Sequence, residues 1–311
     1  MSAIRVLLAA NTFWYLYNFR RSTIEEFIAR GFCVACAAPE DEYSPRLASL
    51  GATCFPVRLA SNSLSVLEAV GTVGSYLKIL RDWRPKVVCT FTPKPNLLLP
   101  WLTKFHGGHT ISNVSGMGTG ANRKLLRILL PHLYRAALSP AHKILVQNAR
   151  DHNEFVARHI AAPGRIVRIP GSGVDLRRFT GTNAPSISPP GARRVIMATR
   201  LLREKGVVEY IETAGRLRQK HPSCHFALAG ISLAQDERYL PPELVAELCR
   251  LNDVTWLGAV DGIEEVLADN DIVALPTQYN EGTPKVLIEA LALGRIVVAS
   301  DVPGCHDLLQ G

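Results

Sequence analysis

The sequence lacks a long hydrophobic run. Its 311 residues contain no apolar stretch of the roughly 18–20 residues that a membrane-spanning helix needs. The apolar region at residues 6–19 is interrupted by Asn11, Thr12 and Asn18, and no small-residue cleavage site follows it. We therefore interpret this region as a first buried strand and loop, not as a signal peptide.

Patterns that ligate metals or form disulfides are also scarce. The seven cysteines are scattered, and an odd number fits a reducing compartment better than a disulfide framework. Cys33 and Cys36 fall in one predicted strand, where positions three apart point to opposite faces. The histidines show no ligand spacing, and Asp269 and Asp271 precede a strand instead of following one, so we expect a structural role for them. The sequence thus predicts no metal site and no cofactor.

The composition excludes wholesale disorder, and the charge is uneven along the chain. Hydrophobic residues make up 47% and charged residues 20% of the sequence, which allows a sizeable core. Residues 1–180 carry 23 Lys and Arg against 10 Asp and Glu, a balance of +13, whereas residues 181–311 carry 12 against 17, a balance of −5. We expect the first half to face something anionic, such as a membrane, phosphates or nucleic acid. Solubility alone is the alternative explanation.

Short apolar runs alternate with amphipathic stretches along the whole chain. Runs such as VLLAA and KVVCTF are apolar on both faces, which is typical of parallel strands covered by helices. Residues 180–192, TGTNAPSISPPGA, interrupt the alternation and read as a linker. The sequence therefore predicts an α/β fold with two doubly wound Rossmann-like domains, residues 1–179 and 193–311, facing a cleft.

The stretch LPTQYNEGTPKVLIEALALGRIVVASDVPGCHD, residues 275–307, carries the most information about function. Thr283 is predicted to cap a helix with Pro284 at its first position. Glu281 and Glu289 are eight residues apart, which on an α-helix is about 80° of rotation and roughly 12 Å of rise, so both carboxylates can border one elongated ligand. Gly282 leaves room for the backbone to approach a ligand, and the amides of the first turn favour an anion. Alternatively, the two glutamates are a first-turn charge and a solvated side chain.

This context resembles a known family. Glu-Gly-x-Pro at 281–284, Glu289 with Ala290, and Asp-x-Pro-Gly at 301–304 resemble the pattern of retaining GT-B glycosyltransferases of family 4, with Glu281 and Glu289 at the ends of the Glu-x7-Glu motif. Arg200 and Lys205, in the segment RLLREKG, match the family's basic pair for the donor diphosphate. The resemblance implies catalytic roles for Glu281, Arg200 and Lys205, and donor binding by Glu289, Gly282, Thr283, Pro284, Lys285 and Gly230.

The first half resembles a bacterial subgroup of that family. NTFWYLYNFR, PEDEY, FTPKPN, NVSGMGTG, VQN and GSGVD look like the members that build lipid-linked surface glycans. The resemblance implies transfer of a hexose or N-acetylhexosamine from a UDP-sugar to an undecaprenyl-diphosphate-linked saccharide. The expected acceptor-side residues are Ser115, Gly116, Gly118, Thr119, Lys94 and Asn96. Family members often carry a histidine where this chain has Ser115, and a glycine cluster alone is also typical of a simple turn.

The stretch 122–138 combines a basic face with many leucines and isoleucines. We consider two interpretations: a helix that covers the sheet, and a monotopic helix whose cations, including Arg123, Lys124, Arg127 and Arg135, meet anionic lipid. The second predicts a cytoplasmic enzyme peripherally associated with the inner face of the plasma membrane. The expected partners are therefore a UDP-sugar, a lipid-linked acceptor and an anionic membrane surface, but no nucleic acid.

The sequence ends at Gly311, soon after the DVPG segment, where family members usually continue, so we expect an incomplete C-terminal domain.

The alternatives to a glycosyltransferase are a truncated nucleotide-binding pseudoenzyme and a UDP-sugar epimerase of the same two-domain form. A nucleic-acid-binding protein would need interleaved aromatic and basic residues, and the sequence contains no such module.

Overall fold

The computed structural model describes residues 3–59, 66–116, 124–180, 188, 192–232, 237–279 and 281–310, with backbone alone for residues 66–68 and 124–128. The chain divides into two compact units, residues 1–172 and 173–311. Most of the expected linker, residues 180–192, lies outside the described residues.

The first unit is built on a parallel sheet. Its strands among the described residues are β1 (Arg5–Ala9), β2 (Cys33–Ala38), β3 (Thr53–Pro56), β4 (Val87–Thr90), β5 (His109–Val114), β6 (Lys143–Val146) and β7 (Ile166–Arg168). They lie in the order β3-β2-β1-β4-β5-β6-β7. The connecting helices are α1 (Phe13–Ala29), α2 (Ser44–Ser49), α3 (Val66–Trp83), α4 (Pro93–Phe105), α5 (Lys124–Leu138) and α6 (Ala149–Ala157). Four of the five residues of β1 are buried, as expected of a strand covered on both faces.

The second unit repeats this plan with a smaller sheet. Its strands among the described residues are β8 (Arg194–Ala198), β9 (His225–Ala229), β10 (Val254–Gly258), β11 (Ile272–Leu275) and β12 (Ile296–Ala299). They lie in the order β10-β9-β8-β11-β12, all parallel. The helices are α7 (Val207–Lys220), α8 (Pro242–Leu251), α9 (Ile263–Ala268), α10 (Lys285–Ala292) and α11 (Pro303–Leu309).

Asp271 joins the amino ends of two strands in this unit. Its buried carboxylate accepts hydrogen bonds from the backbone N–H groups of Arg194 and Ser188, each at 2.7 Å. Burial opposes ionisation, but these N–H donors hold the pKa of Asp271 below its ordinary value. The structural role expected for Asp271 is confirmed.

Both sheets reverse their strand order next to their first strand. The reversal lies between β1 and β4 in the first unit and between β8 and β11 in the second. In open α/β sheets, ligands bind outside the carboxyl ends of the strands at such a switch point. The predicted fold class, two doubly wound parallel-sheet units, is confirmed, and two of the predicted site residues, Lys205 and Glu281, meet at the second switch point.

Candidate active site

A buried ion pair occupies the carboxyl edge of the second sheet. Lys205 ends a short 3₁₀ turn after β8, and its Nζ donates a hydrogen bond to Oε1 of Glu281, which follows β11. The two side chains are only 9% and 11% exposed. The Thr277 hydroxyl donates to the same Oε1 at 3.3 Å, and Lys205 Nζ lies 4.7 Å from the centroid of the Tyr279 ring. Residues 76 positions apart in sequence thus form one cluster at the switch point.

The electrostatics of this cluster suit an anionic ligand. Burial lowers the pKa of Lys205, the Glu281 carboxylate opposes this effect, and the cation of Arg200 lowers it further. Arg200 follows β8 and is exposed, so its guanidinium is accessible to a ligand. Lys205, Arg200 and Glu281 together leave one net positive charge at this edge of the sheet, which favours an anionic ligand.

Two glycines allow the loops of this cluster to approach each other. Gly206 has φ +78°, and a Cβ there would lie 2.0 Å from the carbonyl oxygen of Pro276. A Cβ on Gly304, in the first turn of α11, would lie 1.6 Å from the carbonyl oxygen of Gly282. Side chains at either position would displace the backbone next to Lys205 or Glu281.

Gly230 contributes in the same way at the end of β9. Its φ is +143°, and a Cβ there would lie 1.9 Å from the carbonyl oxygen of Thr199. The backbone just before Arg200 can therefore pack directly against Gly230. The structure thus assigns Gly230 a positioning contact in the region where the sequence predicts donor binding.

Glu289 lies in a second, separate group of charges. Its carboxylate is buried on α10 and accepts a hydrogen bond from Nζ of Lys285. Burial raises the pKa of Glu289, while Lys285 and then Arg178 oppose the rise. Arg178 in turn donates to both oxygens of Glu264, from Nη2 at 2.8 and 3.0 Å. Each predicted glutamate therefore has its own lysine partner.

The start of α10 differs from the prediction. The helix begins at Lys285, and Pro284 occupies the N-cap position with no side-chain cap, so the prediction that Thr283 caps the helix is wrong. The cause is the extended backbone of Pro284, whose ψ is 119°. Glu281 therefore lies in a loop, and the helical spacing expected between Glu281 and Glu289 does not apply. The amides that precede α10, including that of Gly282, lie in the same buried loop as Thr283.

The predicted acceptor-side residues occupy the first unit. Asn96 is buried, its Oδ1 accepts from the Thr90 hydroxyl at 2.5 Å, and its Nδ2 donates to the carbonyl of Asn113 at 2.9 Å. Lys94 is half-buried in the first turn of α4, and Ser115 is exposed after β5.

The glycine loop of the first unit is described only in part. Gly116 has φ +85°, which favours glycine, whereas Gly118 and Thr119 lie outside the described residues. Of the predicted basic residues nearby, Arg123 also lies outside them, the side chains of Lys124 and Arg127 are not described, and Arg135 is exposed.

The described residues contain neither a membrane-spanning helix nor a clustered set of metal ligands. In the part of the chain that the structure describes, no helix combines the length and apolar character needed to cross a bilayer. Within the same residues, no group of three or more His, Cys, Asp or Glu side chains is placed to hold a metal ion.

Sequence reasoning missed several residues that build the site. Thr277 and Tyr279 contact the Lys205–Glu281 pair. Arg178 interacts with Glu289, although it lies more than 100 residues earlier in the sequence. The glycines carry a readable signal, since Gly206 ends RLLREKG and Gly304 ends DVPG. No local pattern marks Thr277, Tyr279 or Arg178.

Comparison with known proteins agrees with this architecture. Residues 183–310 match the model of the family described as glycosyl transferases group 1. The chain is 27% identical over 310 aligned positions to the N,N'-diacetylbacillosaminyl-diphospho-undecaprenol alpha-1,3-N-acetylgalactosaminyltransferase of Campylobacter jejuni, covering 95% of this chain and 80% of that protein.

Solved structures share the fold. Sucrose-phosphate synthase from Thermosynechococcus elongatus superimposes with a TM-score of 0.75 at 15% identity, covering 97% of this chain and 82% of that one. Anabaena Alr3699/HepE in complex with UDP and glucose superimposes with a TM-score of 0.72 at 15% identity and the same coverage. These likenesses show that the chain has the two parallel α/β units of the GT-B fold, and with the match of residues 183–310 to the group 1 model they show that it is a glycosyltransferase.

Proposed function

We propose that this enzyme is a retaining family 4 glycosyltransferase that moves a hexose or N-acetylhexosamine from a UDP-sugar to an undecaprenyl-diphosphate-linked saccharide. The observation that carries the donor half is the buried Lys205–Glu281 pair beside Arg200 at the switch point of the second sheet. The acceptor half is supported by the likeness to the Campylobacter transferase, whose name specifies a diphospho-undecaprenol acceptor.

In the proposed mechanism, negative charge grows on the diphosphate as UDP departs. Lys205 and Arg200 stabilise that charge, and the backbone N–H groups of Gly282, Thr283 and Lys285 assist them, Pro284 having no N–H to donate. With two fixed cations in place, we expect no requirement for a divalent metal or another cofactor. The acceptor hydroxyl then attacks the face from which UDP leaves, and its proton passes to the departing phosphate oxygen.

The two glutamates have different proposed roles. Glu281, which holds Lys205 in the free enzyme, contacts the donor sugar once the diphosphate engages that lysine. Glu289 accepts hydrogen bonds from the ribose hydroxyls. This division agrees with the two separate charge groups, each with its own lysine.

The first unit is proposed to hold the acceptor. Ser115, Gly116, Gly118, Thr119 and Lys94 contact it, and Asn96 positions the ends of β4 and β5 through its buried hydrogen bonds. The positive balance of residues 1–180 is proposed to hold the enzyme on an anionic membrane, at the cytoplasmic face of the plasma membrane, where a lipid-linked acceptor resides.

The decisive experiment offers the protein a panel of UDP-hexoses and UDP-N-acetylhexosamines, with and without undecaprenyl-diphosphate-linked acceptors. We expect acceptor-dependent UDP release and a product with the anomeric configuration of the donor. UDP binding without turnover on any pair would instead favour a nucleotide-binding pseudoenzyme, and interconversion of the UDP-sugars without transfer would favour an epimerase.

A matched pair of variants tests the assigned roles. Glu281→Gln should lower kcat more than it raises the donor KM, and Glu289→Gln should chiefly raise the donor KM. Glu209→Gln, an exposed change on α7, is the control. The opposite pattern would exchange the two roles.

A further inference from the structure

Helices α4 and α5 expose four large apolar side chains on neighbouring surfaces. Phe105 is 75%, Leu129 55%, Leu133 49% and Trp101 38% exposed. We call these four residues the aromatic–leucine face. The sequence allowed two interpretations of the leucines in α5, and the structure shows that Leu129 and Leu133 do not cover the sheet. Grouped apolar side chains on a protein surface mark an interaction site more often than scattered ones do.

Specific contacts link the two helices and order the rings on α4. The indole N–H of Trp101 donates to the carbonyl oxygen of Ala136 at 2.8 Å, which ties α4 to the last turn of α5. The rings of Trp101 and Phe105, one turn apart on α4, have centroids 5.9 Å apart. Leu129 and Leu133 are likewise one turn apart on α5, so their side chains lie on the same side of the helix. The two rings and the two leucines therefore lie on adjoining helices that the Trp101 hydrogen bond joins.

The charged residues of the two helices that carry this face have a single sign. The sequences of α4 and α5 contain Lys94, Lys104, Lys124, Arg127 and Arg135 but no Asp or Glu. Lys104 Nζ lies 5.4 Å from the centroid of the Trp101 ring, so at least one cation accompanies an aromatic member of the face directly. Arg135 is exposed on α5. A partner for this surface must therefore combine an apolar layer with negative charge.

These features argue for a lipid surface over a second copy of this chain. A symmetric dimer through the face would bring two sets of cations together without compensating carboxylates from α4 or α5, which costs free energy. Aromatic rings with leucines and flanking Lys and Arg instead match the interfacial layer of a bilayer, where rings lie among headgroups and cations meet phosphates.

We propose that the aromatic–leucine face inserts into an anionic lipid bilayer and is the membrane-docking surface of the enzyme. The inference rests on the proposed function, since a lipid-linked acceptor gives the enzyme a reason to dock. It goes beyond attraction by the positive first half, because apolar insertion persists when salt screens the charges. Docking through this face therefore combines apolar insertion, which salt does not screen, with attraction of the cations to anionic lipid, which salt weakens.

The test is sedimentation of the full chain with vesicles of equal parts phosphatidylglycerol and phosphatidylcholine, compared with phosphatidylcholine alone. We expect binding to the anionic vesicles at low salt and a measurable remainder at high salt. Complete loss of binding at high salt would overturn apolar insertion. Equal binding to both kinds of vesicle would overturn the role of the cations.

Paired variants locate the surface. Phe105→Ser with Leu133→Ser should weaken binding at least tenfold at both salt concentrations, whereas Lys104→Gln with Arg135→Gln should weaken it mainly at low salt. The matched control is Leu176→Ser with Leu251→Ser, two exposed leucines of the second unit. Unchanged vesicle binding by the first pair would overturn the proposal, and so would a change from dimer to monomer in light scattering without loss of vesicle binding.

Turnover without vesicles separates this proposal from the proposed function. Transfer to an acceptor with a shortened, water-soluble prenyl chain should be the same in the Phe105→Ser, Leu133→Ser protein and in the natural sequence. If this transfer is absent from both proteins while vesicle binding follows the pattern above, the proposed reaction fails and the docking surface stands. If transfer occurs but the Phe105→Ser, Leu133→Ser protein binds vesicles as well as the natural sequence does, the reaction stands and the docking surface fails.

Discussion

The two units have the same arrangement of strands at their switch points, but the buried polar contacts at the carboxyl edges of their sheets differ. At the carboxyl edge of the first sheet, the Thr90 hydroxyl lies 2.5 Å from Asn96 Oδ1 and 2.9 Å from Ser112 Oγ, so neutral groups satisfy one another. At the corresponding edge of the second sheet, Lys205 pairs with Glu281 in surroundings almost closed to water. The strand order therefore determines where polar residues gather, but not whether they carry charge.

The difference has an energetic meaning. A neutral hydrogen-bonded network holds loops in place with a modest desolvation cost, about 0.5–1.5 kcal/mol net per bond in its favour. A buried ion pair is weak evidence for stability, because replacing it with apolar residues is often neutral or stabilising. The charges at the second edge are thus better explained by a charged ligand than by folding, which agrees with the nucleotide-sugar donor that we propose for this site.

The largest effect is expected from removing the charge of Lys205. Lys205→Met should lower turnover about 10²–10³-fold by removing one fixed cation from the departing diphosphate. It should also cost about 3–5 kcal/mol of unfolding free energy, because Glu281 is left buried without its cationic partner. Steady-state kinetics and urea unfolding measure the two effects.

The double variant Lys205→Met, Glu281→Gln separates function from folding. It should regain most of the lost stability, since no unpaired charge remains, but none of the turnover. Lys220→Met, an exposed change at the end of α7, is the control. Near-normal turnover in Lys205→Met would remove this lysine from the site and weaken the contrast between the two edges.

A smaller but still clear effect is expected at Gly304. A methyl group there collides with the backbone of Gly282, so Gly304→Ala should displace Glu281, cost about 1–3 kcal/mol of stability and lower kcat. Gly164→Ala in the first unit is the matched control, because a Cβ on Gly164 meets nothing within 4 Å. Equal kinetics in the two variants would show that α11 does not fix the position of Glu281.

The sequence predicted the sheets well because the evidence for them is local. Each strand is a short apolar run bounded by polar, glycine or proline residues, as in β1 and β4. Because such strands are buried on both faces, nearly every residue in the run is apolar, and the sequence alone shows it. Arg200, Lys205, Glu281 and Glu289 are predicted site residues because their spacings match a family pattern, and their functional roles stay predictions.

What the sequence did not predict depends on contacts between distant residues. The pairing of Lys205 with Glu281, the separate pairing of Lys285 with Glu289, and the packing of Gly304 on Gly282 all require the folded chain. The start of α10 was missed because proline is compatible with both the N-cap and the first helical position, and only the ψ of Pro284 distinguishes them.

A third prediction tests the neutral edge of the first sheet. Asn96→Ala removes the partner of the Thr90 hydroxyl and of the Asn113 carbonyl, so it should cost about 1–3 kcal/mol of stability. Because Asn96 is buried, the donor KM should not change, in contrast to the variants of the second edge. Urea unfolding and donor kinetics test both statements. A raised donor KM in Asn96→Ala would contradict the division of roles between the two edges.

The smallest effect is expected at the opposite end of the second sheet, where a charge serves folding alone. Asp271 has a pKa below its ordinary value because the N–H groups of Arg194 and Ser188 donate to its carboxylate, despite its burial. A carboxylate whose pKa is depressed by folding adds stability above its unfolded pKa of about 3.9 and loses it as pH falls through the folded pKa. Asp271→Asn should therefore cost about 0.5–1.5 kcal/mol at neutral pH. The unfolding curves of the two proteins should converge in acid, and turnover at neutral pH should be unchanged.

Asp269→Asn, at the exposed neighbouring carboxylate, should show neither effect. If the difference between natural and Asp271→Asn proteins stayed constant from neutral to acid pH, the bond to these N–H groups would not depend on ionisation. Asp271 would then stabilise the fold as the neutral Thr90–Asn96 network does, through hydrogen bonds whose strength does not depend on a charge.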